Sequence, residues 1–144
     1  MAATSIGDWI AINDLFTKYA CGLDHGDVET VVSCFTSDGV IESPVMGKFN
    51  GEAGVREFAE RNARYQKKPD VQLRHVVSNV RIDIEPGGNR ARAFCYLLDF
   101  LTRDGKTVLL SPGEYDCRLV KADGSWKFEH RLVVMDKPFT IEGM

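Results

Sequence analysis

The sequence predicts an α+β domain in which three amino-terminal helices cover one face of a cone-shaped, curved antiparallel sheet. Two observations indicate this class. Apolar residues recur at helical spacing in the first 65 residues, and from residue 71 onwards the apolar period changes to two. The 144 residues fit one domain, 1–144, without a linker, and a composition of 44% apolar and 27% charged residues is typical of a globular protein.

The first two helices should form a hairpin. Apolar residues spaced by three or four positions define one stripe of a helix over residues 7–23: Trp9, Ile12, Phe16, Tyr19 and Leu23. This helix is expected to end in the corner Asp24-His25-Gly26, where the glycine can adopt the left-handed conformation. Asp27 can then cap a second helix over residues 28–35.

The sheet follows in two parts. A short strand pair is expected over residues 39–43 and 47–49, around Pro44, and a third helix over residues 51–65. Four long strands, joined by glycine-containing turns, should then form an antiparallel meander. They cover residues 71–77, 90–102, 107–120 and 126–135. The mouth of the cone that such a sheet and its helices enclose is the expected place for a small-molecule pocket.

Composition and motifs exclude several classes of function. The net charge is −3 and no basic run exceeds Lys67-Lys68, so neither nucleic acid nor an anionic membrane is an expected partner. The absence of a signal-like amino terminus and of long apolar runs predicts a cytoplasmic protein. The four cysteines match no zinc or redox spacing and are expected to be buried. No nucleotide-binding motif and no metal-type histidine spacing occur, so neither cofactor nor metal is expected.

Two polar residues are candidates for chemistry. His75 shares the apolar face of its strand with Leu73 and Val77, so its side chain should point into the cone. Asp24 lies at the carboxyl end of the first helix, where the helix dipole disfavours an anion. Each residue also has a structural explanation, as a hydrogen-bonded core histidine or as a turn-forming aspartate.

Other polar residues interrupt apolar segments. Tyr19 is on the buried stripe and is either a core tyrosine or one that turns its hydroxyl into the cone. Tyr115 could line the pocket. Four charged residues on the strands are expected, by default, to form cross-strand pairs on the outer face of the sheet: Asp99, Asp116, Glu129 and Arg131.

Three segments resemble the SnoaL-like family of the nuclear-transport-factor-2-like superfamily. They are residues 19–27, 73–79 and 123–128, which read YACGLDHGD, LRHVVSN and DGSWKF. The family has a cystatin-like α+β barrel, and its group includes scytalone dehydratase, hexachlorocyclohexane dehydrochlorinase and bile acid 7α-dehydratase. The resemblance implies that Asp24 and His75 form a catalytic dyad, with Tyr19 as a third catalytic residue. Substrate contacts are expected from Phe35, Tyr96, Tyr115 and Arg131.

The function implied is that of a cofactor-independent lyase, such as a dehydratase, or an isomerase acting on a small, apolar, cyclic substrate. The alternative is a non-catalytic subunit or ligand-binding protein that resembles the small subunits of ring-hydroxylating dioxygenases. Apolar positions of the late strands, such as Leu109 and Val133, are expected to be exposed and to prefer a partner. They predict a homo-oligomer, either a dimer or a trimer.

Overall fold

The computed structural model describes residues 5–144 and has the predicted α+β architecture. Within these residues the elements are α1 Ile6–His25, α2 Val28–Ser33, β1 Phe35–Ser43, β2 Gly47–Asn50, α3 Gly51–Gln66, β3 Val71–Ile84, β4 Arg90–Arg103, β5 Lys106–Ala122 and β6 Ser125–Met135. The strands form one curved, open sheet in the order β2-β1-β6-β5-β4-β3. None of the helices described is long and apolar enough to cross a membrane.

The long strands form the predicted meander. β3 to β6 pair antiparallel with their neighbours in chain order. β1 pairs antiparallel with β2 and, on its other side, parallel with β6. Each of the three meander pairs contains one register shift, and bulges of this kind bend strands and increase their twist. The curvature leaves a concave face for the helices.

The corner between α1 and α2 is built as predicted. Gly26 has a φ of 67° and its N–H donates to the carbonyl oxygens of Gly22 and Leu23. The carboxylate of Asp27 accepts from the N–H of Thr30 at 3.1 Å and so caps α2. This corner fixes the end of α1, where Asp24 lies.

The core lies between the helices and the concave face of the sheet. Its larger members include Ile12, Phe16, Leu23, Val31, Phe58, Leu97, Leu119 and Phe128. Trp9 does not belong to it, so its place on the predicted stripe is wrong. Ile6, Trp9 and Ile10 are all exposed, because the start of α1 extends beyond the core and Ile12 is the first residue of the helix to be buried in it.

The cysteines follow the prediction in three cases of four. Cys34, Cys95 and Cys117 are buried free thiols, whereas Cys21 is exposed on α1. Cys21 precedes the buried Gly22 and Leu23 and lies on the outward side of the helix. The expectation that it is buried is therefore wrong.

Candidate active site

A pocket lies between the concave face of the sheet and helices α1 and α3. Its wall is mostly apolar, and the carboxyl-terminal segment after β6 contributes to it. The polar lining residues are Tyr19, Ser43, Asn62, His75, Asp99 and Tyr115. The free volume is about 40 Å³. This leaves room for water, since one molecule needs about 10–15 Å³.

His75 lines this pocket and is in direct contact with Asp24, which lies behind it and does not line the pocket itself. Nδ1 of His75 is 2.6 Å from Oδ1 of Asp24, and both side chains are largely buried. The backbone N–H of His75 also donates to the Asp24 carboxylate, at 3.0 Å to Oδ2 and 3.3 Å to Oδ1. These donors explain why an aspartate is tolerated at the negative end of α1.

The local fold holds the strand against the helix end. The side-chain amide of Gln72 donates to the backbone carbonyl of Asp24 at 2.9 Å. β3 therefore contacts the last turn of α1 at two successive places, through Gln72 and through His75. The position of the imidazole is set by both the strand and the helix.

A second carboxylate lies on the other side of the imidazole. Oδ1 of Asp99 is 3.7 Å from Nε2 of His75, and the two residues are directly opposite each other in the β3–β4 pair. Asp99 is only 6% exposed, so its expected place on the outer face is wrong. It shares the inward face of β4 with Leu97 and Leu101, as strand alternation requires.

The electrostatics of this cluster raise the pKa of both His75 and Asp99. Burial lowers the pKa of His75, but the hydrogen bond with Asp24 and the negative charge of Asp99 outweigh it, so the pKa is raised above 6.5. Burial raises the pKa of Asp99 above 3.8, and the positive charge of protonated His75 partly opposes this. His75 and Asp99 therefore both keep a proton to higher pH than the isolated side chains would.

Two tyrosines line the pocket in front of a buried cation. The rings of Tyr19 and Tyr115 are 6.1 Å apart, edge to face. The guanidinium carbon of Arg131 lies 3.8 Å from the centre of the Tyr19 ring and 3.6 Å from that of Tyr115, within cation–π distance. Burial raises the pKa of both phenols, while the charge of Arg131 lowers it in part. Both hydroxyls therefore stay protonated and can donate.

Arg131 is not on the outer face, so that default expectation is wrong. It is 0% exposed, and its three guanidinium nitrogens have no hydrogen-bond partner among the described residues. It packs behind Tyr19 and Tyr115 and is not itself part of the pocket lining. Aromatic faces replace the carboxylate that usually accompanies a buried arginine.

The remaining predicted contact residues lie elsewhere. Tyr96 is 54% exposed on the outer face, because its neighbours Cys95 and Leu97 point inward, and its expected substrate contact is wrong. Phe35 is buried against the Tyr19 ring and does not line the pocket. The outer-face pairs expected for two other residues are confirmed, Asp116 with Arg92 at 2.9 Å and Glu129 with Arg90 at 2.7 Å.

The arrangement is suited to moving a proton. Because the Asp24 carboxylate accepts at Nδ1, this nitrogen carries the proton in neutral His75 and Nε2 is left as a base. Tyr19 and Tyr115 supply donors in the same pocket. No group of three or more histidine, cysteine or acidic side chains in residues 5–144 is placed to hold a metal ion.

Comparison with known proteins places the chain in a family. No functionally curated protein matches it significantly. The structure is similar to a Mycobacterium tuberculosis protein of unknown function, at 27% identity and a TM-score of 0.82, covering 93% of this chain and 79% of that one. It is also similar to a candidate scytalone dehydratase from Novosphingobium aromaticivorans, at 19% identity and a TM-score of 0.79, covering 96% and 91%.

A third similar structure is ActVI-ORFA from Streptomyces coelicolor, at 21% identity and a TM-score of 0.76, covering 90% of this chain and 98% of that one. At such identities the last two likenesses concern the fold alone. The model of the SnoaL-like domain matches residues 5–132 of the sequence. The chain therefore belongs to the SnoaL-like domain family.

Proposed function

We propose that this protein is a cofactor-independent lyase or isomerase that removes a proton from a small, apolar, cyclic substrate. Nε2 of His75 takes the proton from a carbon next to a carbonyl group, and the electron pair of the C–H bond forms an enolate. Asp24 holds the other ring nitrogen and stabilises the imidazolium. The observation that supports this most is the 2.6 Å contact of Asp24 Oδ1 with Nδ1 of His75, whose imidazole lines a pocket.

The enolate oxygen would be stabilised by the phenols of Tyr19 and Tyr115. Both line the pocket and stay protonated, so their hydroxyls can donate to the developing negative charge. The buried charge of Arg131 behind the two rings makes this side of the pocket more favourable for an anion. Arg131 acts here through the tyrosines.

The proton can leave His75 by two routes. In an isomerisation, the substrate is a β,γ-unsaturated carbonyl compound, its enolate is a conjugated dienolate, and the imidazolium returns the proton to the γ-carbon so that the C=C double bond moves next to the carbonyl group. In a dehydration, it protonates a hydroxyl group on the β-carbon; the C–O bond breaks, water leaves, the carbonyl re-forms and a C=C double bond results. Both routes regenerate neutral His75. The charge of Asp99, 3.7 Å from Nε2, stabilises the imidazolium between the two steps.

One observation favours one form of the alternative, a non-catalytic subunit whose cone is filled by side chains. The free volume of about 40 Å³ is smaller than the roughly 150 Å³ of a cavity that accepts benzene. A cyclic ligand therefore enters only if lining side chains move. Met46, Met135 and Met144 line the pocket and, being unbranched and flexible, can make such room.

Hydrogen–deuterium exchange next to a carbonyl group tests the proposal without the natural substrate. 1-Indanone and 2-indanone are incubated with the protein in D₂O, and loss of the α-proton signals is followed by NMR. We expect the wild type to accelerate exchange and His75→Gln to lose about 10²- to 10⁴-fold of this acceleration.

His130→Gln is the matched control, because His130 contacts Glu42 on the outer face and should not affect exchange. Equal acceleration by the wild type and His75→Gln would contradict the role of His75. No acceleration by either protein, with a ligand recovered unchanged from the purified protein, would support the alternative.

A further inference from the structure

Asn62 is a polar residue of the pocket that the proposed proton transfer does not use. It lies on α3, is 3% exposed and lines the pocket. Its Oδ1 has no hydrogen-bond partner among residues 5–144. Buried polar groups are nearly always hydrogen-bonded, because an acceptor that loses its water without gaining a partner destabilises the folded protein by its desolvation free energy. An unpaired acceptor at a pocket wall is thus available to a ligand.

The other polar lining groups are engaged in hydrogen bonds, carry charge or, like the Tyr19 and Tyr115 hydroxyls, already serve the proposed proton transfer as donors. Oγ of Ser43 accepts from the N–H groups of Val45 and Met46, both at 3.2 Å, within the β1–β2 turn. His75 is held by Asp24, and Asp99 acts on His75 through its charge. Asn62 is therefore a neutral acceptor on the helical wall, where Leu23 and Phe58 supply apolar contact.

We infer that Asn62 is a specificity-determining residue that accepts a hydrogen bond from a hydroxyl group of the substrate. The inference rests on the proposed function, since it takes this pocket to be the substrate site. An unpaired oxygen requires a donor, and a neutral hydroxyl enters an apolar wall at a lower desolvation cost than an ammonium group. The substrate class is a cyclic carbonyl compound with a hydroxyl group remote from the carbon that His75 deprotonates.

Binding of a matched ligand set tests this inference. Dissociation constants of 1-indanone and of its 4-, 5-, 6- and 7-hydroxy derivatives are measured by calorimetry for the wild type, Asn62→Leu and Ser43→Ala. At least one hydroxy derivative should bind the wild type about tenfold more tightly than 1-indanone. This advantage should disappear in Asn62→Leu, which has a similar size but no acceptor, while the affinity for 1-indanone is kept or increased.

Ser43→Ala is the matched control and should keep the hydroxyl preference, because the serine oxygen is already engaged in the turn. Asn62→Ala provides the same comparison should the leucine variant fail to fold. The inference is overturned if the wild type shows no hydroxyl preference, or if the preference is the same in the wild type and the Asn62 variant.

The outcome of this binding test can be distinguished from the outcome of the exchange test of the proposed function. The hydroxyl preference should persist in His75→Gln, because Asn62 acts on binding and not on proton transfer. If the preference depends on Asn62 but His75→Gln exchanges α-protons as fast as the wild type, the inference holds and the catalytic proposal fails. If exchange depends on His75 but the preference is independent of Asn62, the opposite conclusion follows.

Discussion

His75 contacts its two carboxylate neighbours in different ways. Asp24 Oδ1 is 2.6 Å from Nδ1, a hydrogen-bond distance, whereas Asp99 Oδ1 is 3.7 Å from Nε2, too far for a hydrogen bond but close enough for a charge interaction. The first contact determines which ring nitrogen carries the proton of the neutral imidazole. The second acts on the affinity for a further proton, so substitutions of the two aspartates should have distinguishable effects.

We predict that Asp99→Asn shifts the pH dependence of catalysis to lower pH. A base must be neutral, so the exchange rate should rise with pH through the pKa of His75, which lies above 6.5. The negative charge of Asp99 contributes to this raised pKa, so removing the charge should lower the pKa of His75. The measurement is the rate of ketone α-exchange between about pH 5 and pH 9 in both proteins. An inflection that stays in place or moves to higher pH would show that Asp99 does not act on His75.

The sequence predicts the positions of some side chains in the site and not those of others. The inward direction of His75 follows from period-two alternation, and the same alternation applies to Asp99, which shares a face with Leu97. For Asp99 the general rule that charged groups avoid a core predicts the opposite, and the nearby imidazole overrides it. The burial of Arg131 depends on rings from α1 and β5, a non-local contact that no local pattern indicates.

At the scale of elements, β5 and β6 pack closely against each other next to the pocket, at Gly113. A Cβ at this position would clash with the carbonyl oxygen of Val134 and lie 2.9 Å from Sδ of Met135. Both Tyr115 and Met135, which flank this contact, line the pocket. The absence of a side chain at Gly113 therefore allows the two strands to close that side of the site.

Gly113→Ala should lower the free energy of unfolding by about 1–3 kcal/mol, the usual cost of forcing additional atoms into a packed region. Gly7→Ala is the control, since an added Cβ there meets no atom within 4 Å and alanine favours a helix. Urea unfolding of both variants and the wild type measures the difference. A Gly113 variant as stable as the wild type would mean that the backbones separate at little cost.

The elements and their order are largely predictable from local signals, but some bounds are not: β3 was expected over residues 71–77 and continues to Ile84, and the strand expected from residue 39 begins at Phe35. The third helix was expected over residues 51–65 and is Gly51–Gln66. Phe35 was expected to end α2 but begins β1, since the apolar run before it is compatible with either structure. The parallel pairing of β1 with β6 joins strands from distant parts of the chain, and no spacing or turn in the sequence specifies it.

At the scale of the whole molecule, the outer face of the sheet carries exposed apolar side chains. Val76, Tyr96, Leu109 and Val134 are between 41% and 54% exposed. Leu109 is exposed as expected, but Val133 is only 8% exposed and lines the pocket, because its neighbour Val134 takes the outward position. Exposed apolar groups on one face are typical of an association surface.

We propose that this face joins copies of the chain into a dimer or trimer. Light scattering coupled to size exclusion should show an oligomer for the wild type and a monomer for Tyr96→Glu, since a buried unpaired carboxylate is unfavourable at an interface. Ile10→Glu, on the exposed side of α1, should leave the mass unchanged. A monomeric wild type, or an oligomer unaffected by Tyr96→Glu, would contradict the assignment of this face.

The closure of the pocket also belongs to the whole molecule. Phe139, Ile141 and Met144, which follow the last strand, line the pocket. Lys68, just after α3, holds this segment by donating to the carbonyl oxygen of Gly143 at 3.0 Å. The segment has no periodic pattern, so its position over the pocket could not be predicted from the sequence.

The central claim is that Asp24 keeps the proton of neutral His75 on Nδ1 and leaves Nε2 free to act as a base. Nitrogen-15 NMR of histidine-labelled protein, assigned with His75→Gln and titrated with pH, tests this most directly. We predict a proton on Nδ1, a pKa above 6.5, and a lower pKa in Asp24→Asn. A proton on Nε2, or a pKa at or below 6.5 that Asp24→Asn leaves unchanged, would contradict it.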